Sequence, residues 1–212
     1  MTAELKSLSA SLTAPKLPDN LFTVTDIDAE LSRVRDDESD FIAADFSRLI
    51  CAETDFSAIC FRNCLFHGCR FTACDFSGCT FIDCVFKGCD ISNSDFSESY
   101  FKACSFISCK AVGTAFKYSF YKNVSFDGGS FELSDFQRSK LQSVAVTDTD
   151  FSSALFSSCE IKQFGTKLAG LDFTSCNIEG LTVSDTGAEL KGAKVDVWQA
   201  AMFAKLLGLI IE

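Results

Sequence analysis

The amino-acid sequence predicts an all-β solenoid, a chain wound into stacked coils. Three observations lead there: a strict five-residue period, a small residue two places before each period mark, and only two prolines, both before residue 20. The stretch CLFHGCRFTACDFSGCTFIDCVFKGC, Cys64 to Cys89, displays the period openly. Five fits neither the period of an amphipathic helix, about 3.6, nor that of a half-buried strand, about 2. A sustained fixed period marks a repeat architecture.

With the Phe of each repeat as position i, the marks fall every five residues from 41 to 161. Eighteen of these twenty-five positions are Phe; the others are Cys51, Ile91, Ala111, Tyr121, Leu141, Val146 and Ile161. Position i−2 is Ala, Ser, Thr, Gly or Cys at twenty-one of them. Position i−1 is often Asp, and i+1 is often Ser or Thr. A chain buries such a set by turning a corner at every repeat. Residue i fills the middle and i−2 fits beside it near the corner. Closed coils pair each strand with the strand one coil away, at about 4.8 Å.

The ends need caps, because a coil end exposes unpaired strand edges. Before the repeats, Thr25-Asp26-Ile27-Asp28 resembles a helix start, and Ile27, Leu31 and Val34 share a helical face. A short helix over the first coil is expected. After Ile161 the register slips: QFGTKLAGLDF moves the next mark to Leu168, followed by Phe173, Ile178 and Val183. A two-residue bulge and a last coil reaching about Val195 are expected. In the tail VDVWQAAMFAKLLGLIIE, Asp196 can start a helix and Gly208 can end it. Trp198, Met202 and Leu206 form one apolar stripe, Phe203 and Leu207 a second, and Leu209, Ile210 and Ile211 read as a short strand. One stripe can cover the last coil; the excess favours a two-fold dimer over burial within one chain. The domain reading is an N-terminal cap over 1–38, a repeat body over 39–195 and a dimerisation helix and strand over 196–212.

Ten of the twelve cysteines, from Cys64 to Cys176, stand at i−2. Cysteine is small, apolar and readily buried. Metal sites favour clustered pairs such as C-x₂-C. A five-residue spacing instead sends successive thiols to different sides of the coil. The expectation is packing, with no metal and no cofactor. The N-terminal MTAELKSLSASLTAPK holds no apolar run of signal-peptide length, and no stretch reads as a membrane span. Free thiols in a reducing cytoplasm are therefore expected rather than disulfides.

The net charge is −10 and uneven: −7 over residues 1–60, +2 over 61–125 and −5 over the rest. Acidic ends around a near-neutral middle disfavour direct binding of nucleic acid, which needs a basic patch. An enzyme is disfavoured too. His67, the only histidine, falls at an outward i+1 position, and the sequence has no nucleophile–base pair or phosphate-cradling glycine loop.

The repeat grammar resembles that of the pentapeptide-repeat proteins, Ala-(Asp/Asn)-(Leu/Phe)-x-x. The resemblance implies a right-handed quadrilateral β-helix with four repeats, twenty residues, per coil and short helical caps. Residues twenty apart would then stack. Phe56 to Phe156 would form one unbroken inner column, Phe46 to Phe126 another, and Ala111 would leave its level thinly packed. LAGLDFTSC and LKGAKVDVWQAAMFAKLLGLIIE resemble the C-terminal end of Qnr-type members, especially Gram-positive ones, and Ser99 to Phe116 resembles their middle. That resemblance implies a rod dimerising at its C-terminal end through the tail residues above. It would bind DNA gyrase and topoisomerase IV, protecting them from quinolones or inhibiting them, in partial imitation of DNA. The acidic face implied is Asp55, Asp75, Asp95 and Asp135, although Asp at i−1 also stabilises turns. Between 41 and 165 there is no room for the projecting loops of many Gram-negative relatives. The competing expectation is a general scaffold with another protein partner.

Overall fold

The computed structural model describes residues 12–161, 168, 171–184, 187–206 and 208–210. The chain is a parallel β-solenoid of about seven turns with two short helices, the right-handed quadrilateral β-helix expected. Each coil has four walls, named here by their first inward residue: wall 1 begins at Phe41, wall 2 at Phe46, wall 3 at Cys51 and wall 4 at Phe56. Partners in register are twenty residues apart. Wall 1 runs Phe41↔Phe61↔Phe81↔Phe101↔Tyr121↔Leu141↔Ile161. Wall 4 runs Asp55↔Asp75↔Asp95↔Ala115↔Asp135.

Aromatic stacking fills the interior. Phe76 lies 4.4 Å from Phe56 and 4.5 Å from Phe96, ring over ring. Phe66 stacks on Phe46 and Phe86 at 4.6 and 4.5 Å. Neighbouring walls meet edge to face, as Phe71 and Phe76 do at 5.3 Å. Both geometries suit the ring quadrupole. Ala111 is fully buried, and Phe131 of the next coil reaches within 6.0 Å of both Phe106 and Phe116.

Small i−2 residues do more than save space. The Phe carbonyls at the corners need donors, since a buried unpaired carbonyl is costly. The i−2 side chain of the following coil supplies one. Ser99 Oγ donates to the Phe76 carbonyl at 3.0 Å, and Ser119 Oγ to that of Phe96 at 3.1 Å. The Cys84 thiol donates to the Phe61 carbonyl at 3.3 Å, and the Cys104 thiol to that of Phe81 at 3.4 Å. Cysteine is thus more than a stand-in for alanine: it packs and donates weakly.

Helix α1 (Ile27–Asp36) covers the first coil. Asp26 caps it, accepting from the Ala29 N–H at 3.1 Å, and Leu31 and Val34 are buried. At the other end, Leu155↔Asn177 and Glu160↔Thr182 are twenty-two residues apart, as a two-residue bulge requires. Its residues 162–167 lie outside the described residues. Asp172↔Lys194 are also twenty-two apart, so the last coil carries a second two-residue insertion that the period did not announce.

Candidate partner-binding surface

The corners are of two kinds. Leaving wall 4, and wall 3 from Ile91 onward, the chain makes tight turns: the Ser94 N–H donates to the Ile91 carbonyl and the Cys79 N–H to that of Phe76, both at 3.3 Å. Leaving wall 1 in the middle coils, it stays a bent strand, as in Tyr100–Lys110. Aspartate at i−1 accompanies the tight turn. Asp55, Asp75 and Asp95 each accept, through Oδ1, the N–H of Ser57, Ser77 and Ser97 at 2.8 Å, and Asp135 accepts that of Gln137 at 2.9 Å. Asp45 is the lone such acid on wall 2, and that corner too is closed, by Leu49 N–H to Phe46 C=O. The corner at Ala111 closes with Lys110 in this place, so the acid favours the turn without being required.

The structure brings Asp55, Asp75 and Asp95 onto successive rungs of wall 4; Ala115 then interrupts the row before Asp135. Asp55 is engaged by Arg35 of α1 at 2.9 Å. Hydrogen bonds from Ser57, helped by Arg35, hold its carboxyl below the usual carboxylate range. Asp75, Asp95 and Asp135 have no basic partner among the described residues. Each uses one oxygen for its turn, leaving the other for an incoming donor.

The twelve thiols are free, and eleven are buried. Burial pushes Cys79 and Cys159 up to about 12 and Cys51 and Cys176 up to about 11. Such thiols are protonated and inert at neutral pH. Among the described residues no group of three or more His, Cys, Asp or Glu side chains could hold a metal ion. Nor is any described helix long and apolar enough to cross a membrane.

The C-terminal end closes on helix α2 (Val197–Leu206). Asp196 and Gln199 form a reciprocal capping box: Gln199 N–H donates to Asp196 Oδ1 at 2.7 Å, and Asp196 N–H to Gln199 Oε1 at 3.1 Å. The Gln199 amide also donates to the carbonyls of Phe173 and Cys176 at 2.6 and 3.1 Å, sealing the last coil. Gly208, with φ of 79°, ends the helix in a Schellman arrangement. The inward face is therefore Gln199 with Phe203, which lies 6.5 Å from Phe173. Apolar periodicity alone pointed to Trp198 or Phe203 equally, and it passed over Gln199. Phe203 serves the chain's own cap. Trp198 is 82% exposed and Ile210 91%; Met202, Leu206 and Leu209 are exposed as well. Leu209 and Ile210 follow the helix without strand pairing, while Leu207 and Ile211 lie outside the described residues.

The sequence reading missed an N-terminal arm on the solenoid side. Phe22–Thr23 pair with Ala44–Asp45, and residues 13–16 lie along the corner between walls 1 and 2. The signal was present as Asn63, Asp83 and Asn123, all at i+2 of wall 1.

Residues 79–163 match the family model described as pentapeptide repeat region, and residues 50–88 match that described as pentapeptide repeats (8 copies). Together the matches span more than half of the chain. No curated protein matches it. Similar solved structures include a trypsin-treated variant of QnrB1, a plasmid-mediated fluoroquinolone resistance protein. It is 22% identical, with 81% of this chain and 93% of that chain covered and a TM-score of 0.38. A pentapeptide repeat protein from the Arabidopsis thaliana thylakoid lumen is 21% identical over 43% of this chain and 66% of its own, with a TM-score of 0.36. HetL, a pentapeptide repeat protein involved in heterocyst differentiation regulation from the cyanobacterium Nostoc, is 10% identical over 78% and 93%, with a TM-score of 0.27. Likeness at these values carries no argument about function, and the roles in those names differ.

Proposed function

The chain belongs to the pentapeptide-repeat proteins, and from that premise we propose that it is a non-catalytic, cytoplasmic binding rod for DNA gyrase and topoisomerase IV. On this reading it protects these enzymes from quinolones or inhibits them. The observation that carries the proposal is the acid row of wall 4: Asp75 and Asp95 on adjacent rungs, with Asp135 beyond, none with a basic partner among the described residues. Like charges stacked one rung apart are unfavourable for folding alone. They suit a basic, DNA-binding groove. The tail's resemblance to Qnr-type proteins supports the same partner. Duplex DNA carries one charge per about 1.7 Å, far denser than this rod, so the imitation is local.

Assembly as a two-fold dimer through Trp198, Met202, Leu206, Leu209 and Ile210 belongs to the same proposal, because these side chains form an exposed apolar end. Phe203 would support that end from within.

The test is gyrase supercoiling and ciprofloxacin-induced cleavage, with protein added over a range of salt concentrations. The expected result is a change in either activity that weakens as salt rises, because exposed charges are screened within about 10 Å at 0.1 M. Asp75→Asn with Asp95→Asn should weaken it by about tenfold. No effect of the wild-type protein on gyrase or topoisomerase IV would leave the general scaffold as the better reading. A full effect with the double variant would move the contact off wall 4.

A further inference from the structure

The corner between walls 1 and 2 holds an extended polypeptide by its backbone. The Thr13 N–H donates to Asn123 Oδ1 at 2.9 Å, and its carbonyl accepts from Asn123 Nδ2 at 2.7 Å. Two coils down, the Lys16 N–H donates to Asp83 Oδ1 at 2.9 Å. The Lys16 carbonyl accepts from Asn63 Nδ2 at 2.6 Å. All three corner residues take positive φ, 54° to 58°, a conformation that Asn and Asp tolerate best among residues with a side chain. Ala103, the corner between Asp83 and Asn123, is only 9% exposed, whereas the alanine corners Ala58 and Ala73 on other walls are exposed. A small residue lets the arm pass there.

The spacing selects a backbone conformation. Polyproline II has three residues per turn and rises about 3.1 Å per residue, so one turn advances about 9.3 Å. Two coils of the solenoid advance about 9.6 Å. Thr13 and Lys16 are three residues apart, and Asn123 and Asp83 are two coils apart. The two ladders are commensurate. The arm reads Thr13-Ala14-Pro15-Lys16-Leu17-Pro18, with one proline inside the engaged stretch and one just past it, at positions whose N–H these bonds do not use. Every one of the four bonds goes to a main-chain atom of the arm. The track therefore reads conformation and leaves side-chain identity open.

We infer that this corner is a binding track for a proline-bearing extended segment of a partner protein, with the chain's own arm as its resident competitor. The track is independent of the acid row on wall 4. Thr13, Ala14, Lys16 and Pro18 are exposed, so the arm is held by few contacts. Its tether gives it an effective concentration of order mM, which an incoming segment must outmatch.

The test weakens the arm and leaves the solenoid untouched. Thr13→Pro with Lys16→Pro removes both N–H donors in the full chain. The side-chain amide resonances of Asn63 and Asn123 should then shift towards those of solvent-exposed amides. A fluorescein-labelled peptide SLTAPKLPDN, followed by anisotropy, should bind this variant about tenfold more tightly than the wild-type chain. Adding Asn63→Ala with Asn123→Ala should abolish that binding, and replacing both peptide prolines by glycine should weaken it about fivefold by raising the entropic cost of ordering. Unchanged amide resonances, no peptide binding at mM concentration, or binding indifferent to the corner substitutions would each overturn the inference.

Discussion

Two sides of the same coil solve one problem differently. Leaving walls 3 and 4, hydroxyl columns (Ser94, Thr114 and Ser134; Ser99, Ser119 and Ser139) line tight turns, many of them capped by an acid at i−1. Leaving walls 1 and 2, thiol columns (Cys64, Cys84 and Cys104; Cys69, Cys89 and Cys109) line open corners of bent strand. The inner aromatic stack is common to both. The group beside it does not decide whether the backbone closes a turn, since turns close over Cys79 and Cys159 as they do over Ser94, but each chemistry sets its own pH limit. Carboxylates are the stronger acceptors while ionised; buried thiols are tolerated only while protonated.

The largest expected effect ignores that contrast. Phe76→Ala, beside an acid-capped turn, and Phe66→Ala, beside an open corner, should each cost about 3–5 kcal/mol in urea melts. Their rings are equally stacked, at 4.4 to 4.6 Å. Because contacts run between neighbouring coils, loss can be regional. A cost that differs by more than about 2 kcal/mol between the two would mean that the corners, not the stack, dominate local stability.

Alkali tests the buried thiols, and Cys79 and Cys159 stand beside tight turns of wall 4 itself. Cys79 and Cys159 are raised by burial from 9.0 to about 12. A raised folded pKa leaves stability intact below pH 9; above it the unfolded thiol ionises first and stability falls until about 12. Each such thiol removes about 1.4 kcal/mol per pH unit in that window. On the acid side the sign reverses. Hydrogen bonds from Ser57 hold Asp55 below 3.8, and those from Ser92, against partial burial and with help from Lys110, do the same for Asp90. Their contribution is present above 3.8 and is lost as pH falls through the folded values. Melts from pH 8 to 11 should show a steep decline, and the variant Cys79→Ser with Cys159→Ser a shallower one. Equal slopes would exclude burial of these two thiols as its cause.

Much of this was legible in the period. The columns, the inward Phe residues, the i−2 thiols and the acid positions all follow from counting by five and, once the four-repeat coil is granted, by twenty. The two corner types were not foreseen, because a repeat pattern specifies what is buried and says little of backbone hydrogen bonding. The arm was hidden for a different reason. Asn63, Asp83 and Asn123 look like ordinary outward corner residues until the coil aligns them. In α2, apolar residues lie all around, so no stripe could name the inward face; the polar Gln199 takes it by satisfying two carbonyls.

The smallest effect divides the two roles that the acid row can play. The Asp75 side chain gives Oδ1 to the Ser77 N–H, and asparagine keeps an oxygen acceptor in that place. Asp75→Asn should therefore change stability by less than about 0.5 kcal/mol, whereas Asp75→Ala, which leaves the turn N–H to water, should cost about 1 kcal/mol. If the row exists for the turns alone, the asparagine variant retains everything the protein does. If it also binds a basic partner, the asparagine variant melts like wild type and loses binding, while alanine loses both. A stability loss for Asp75→Asn as large as for Asp75→Ala would mean that the ionised carboxylate itself holds the corner. Substitution on wall 4 could then no longer separate fold from recognition.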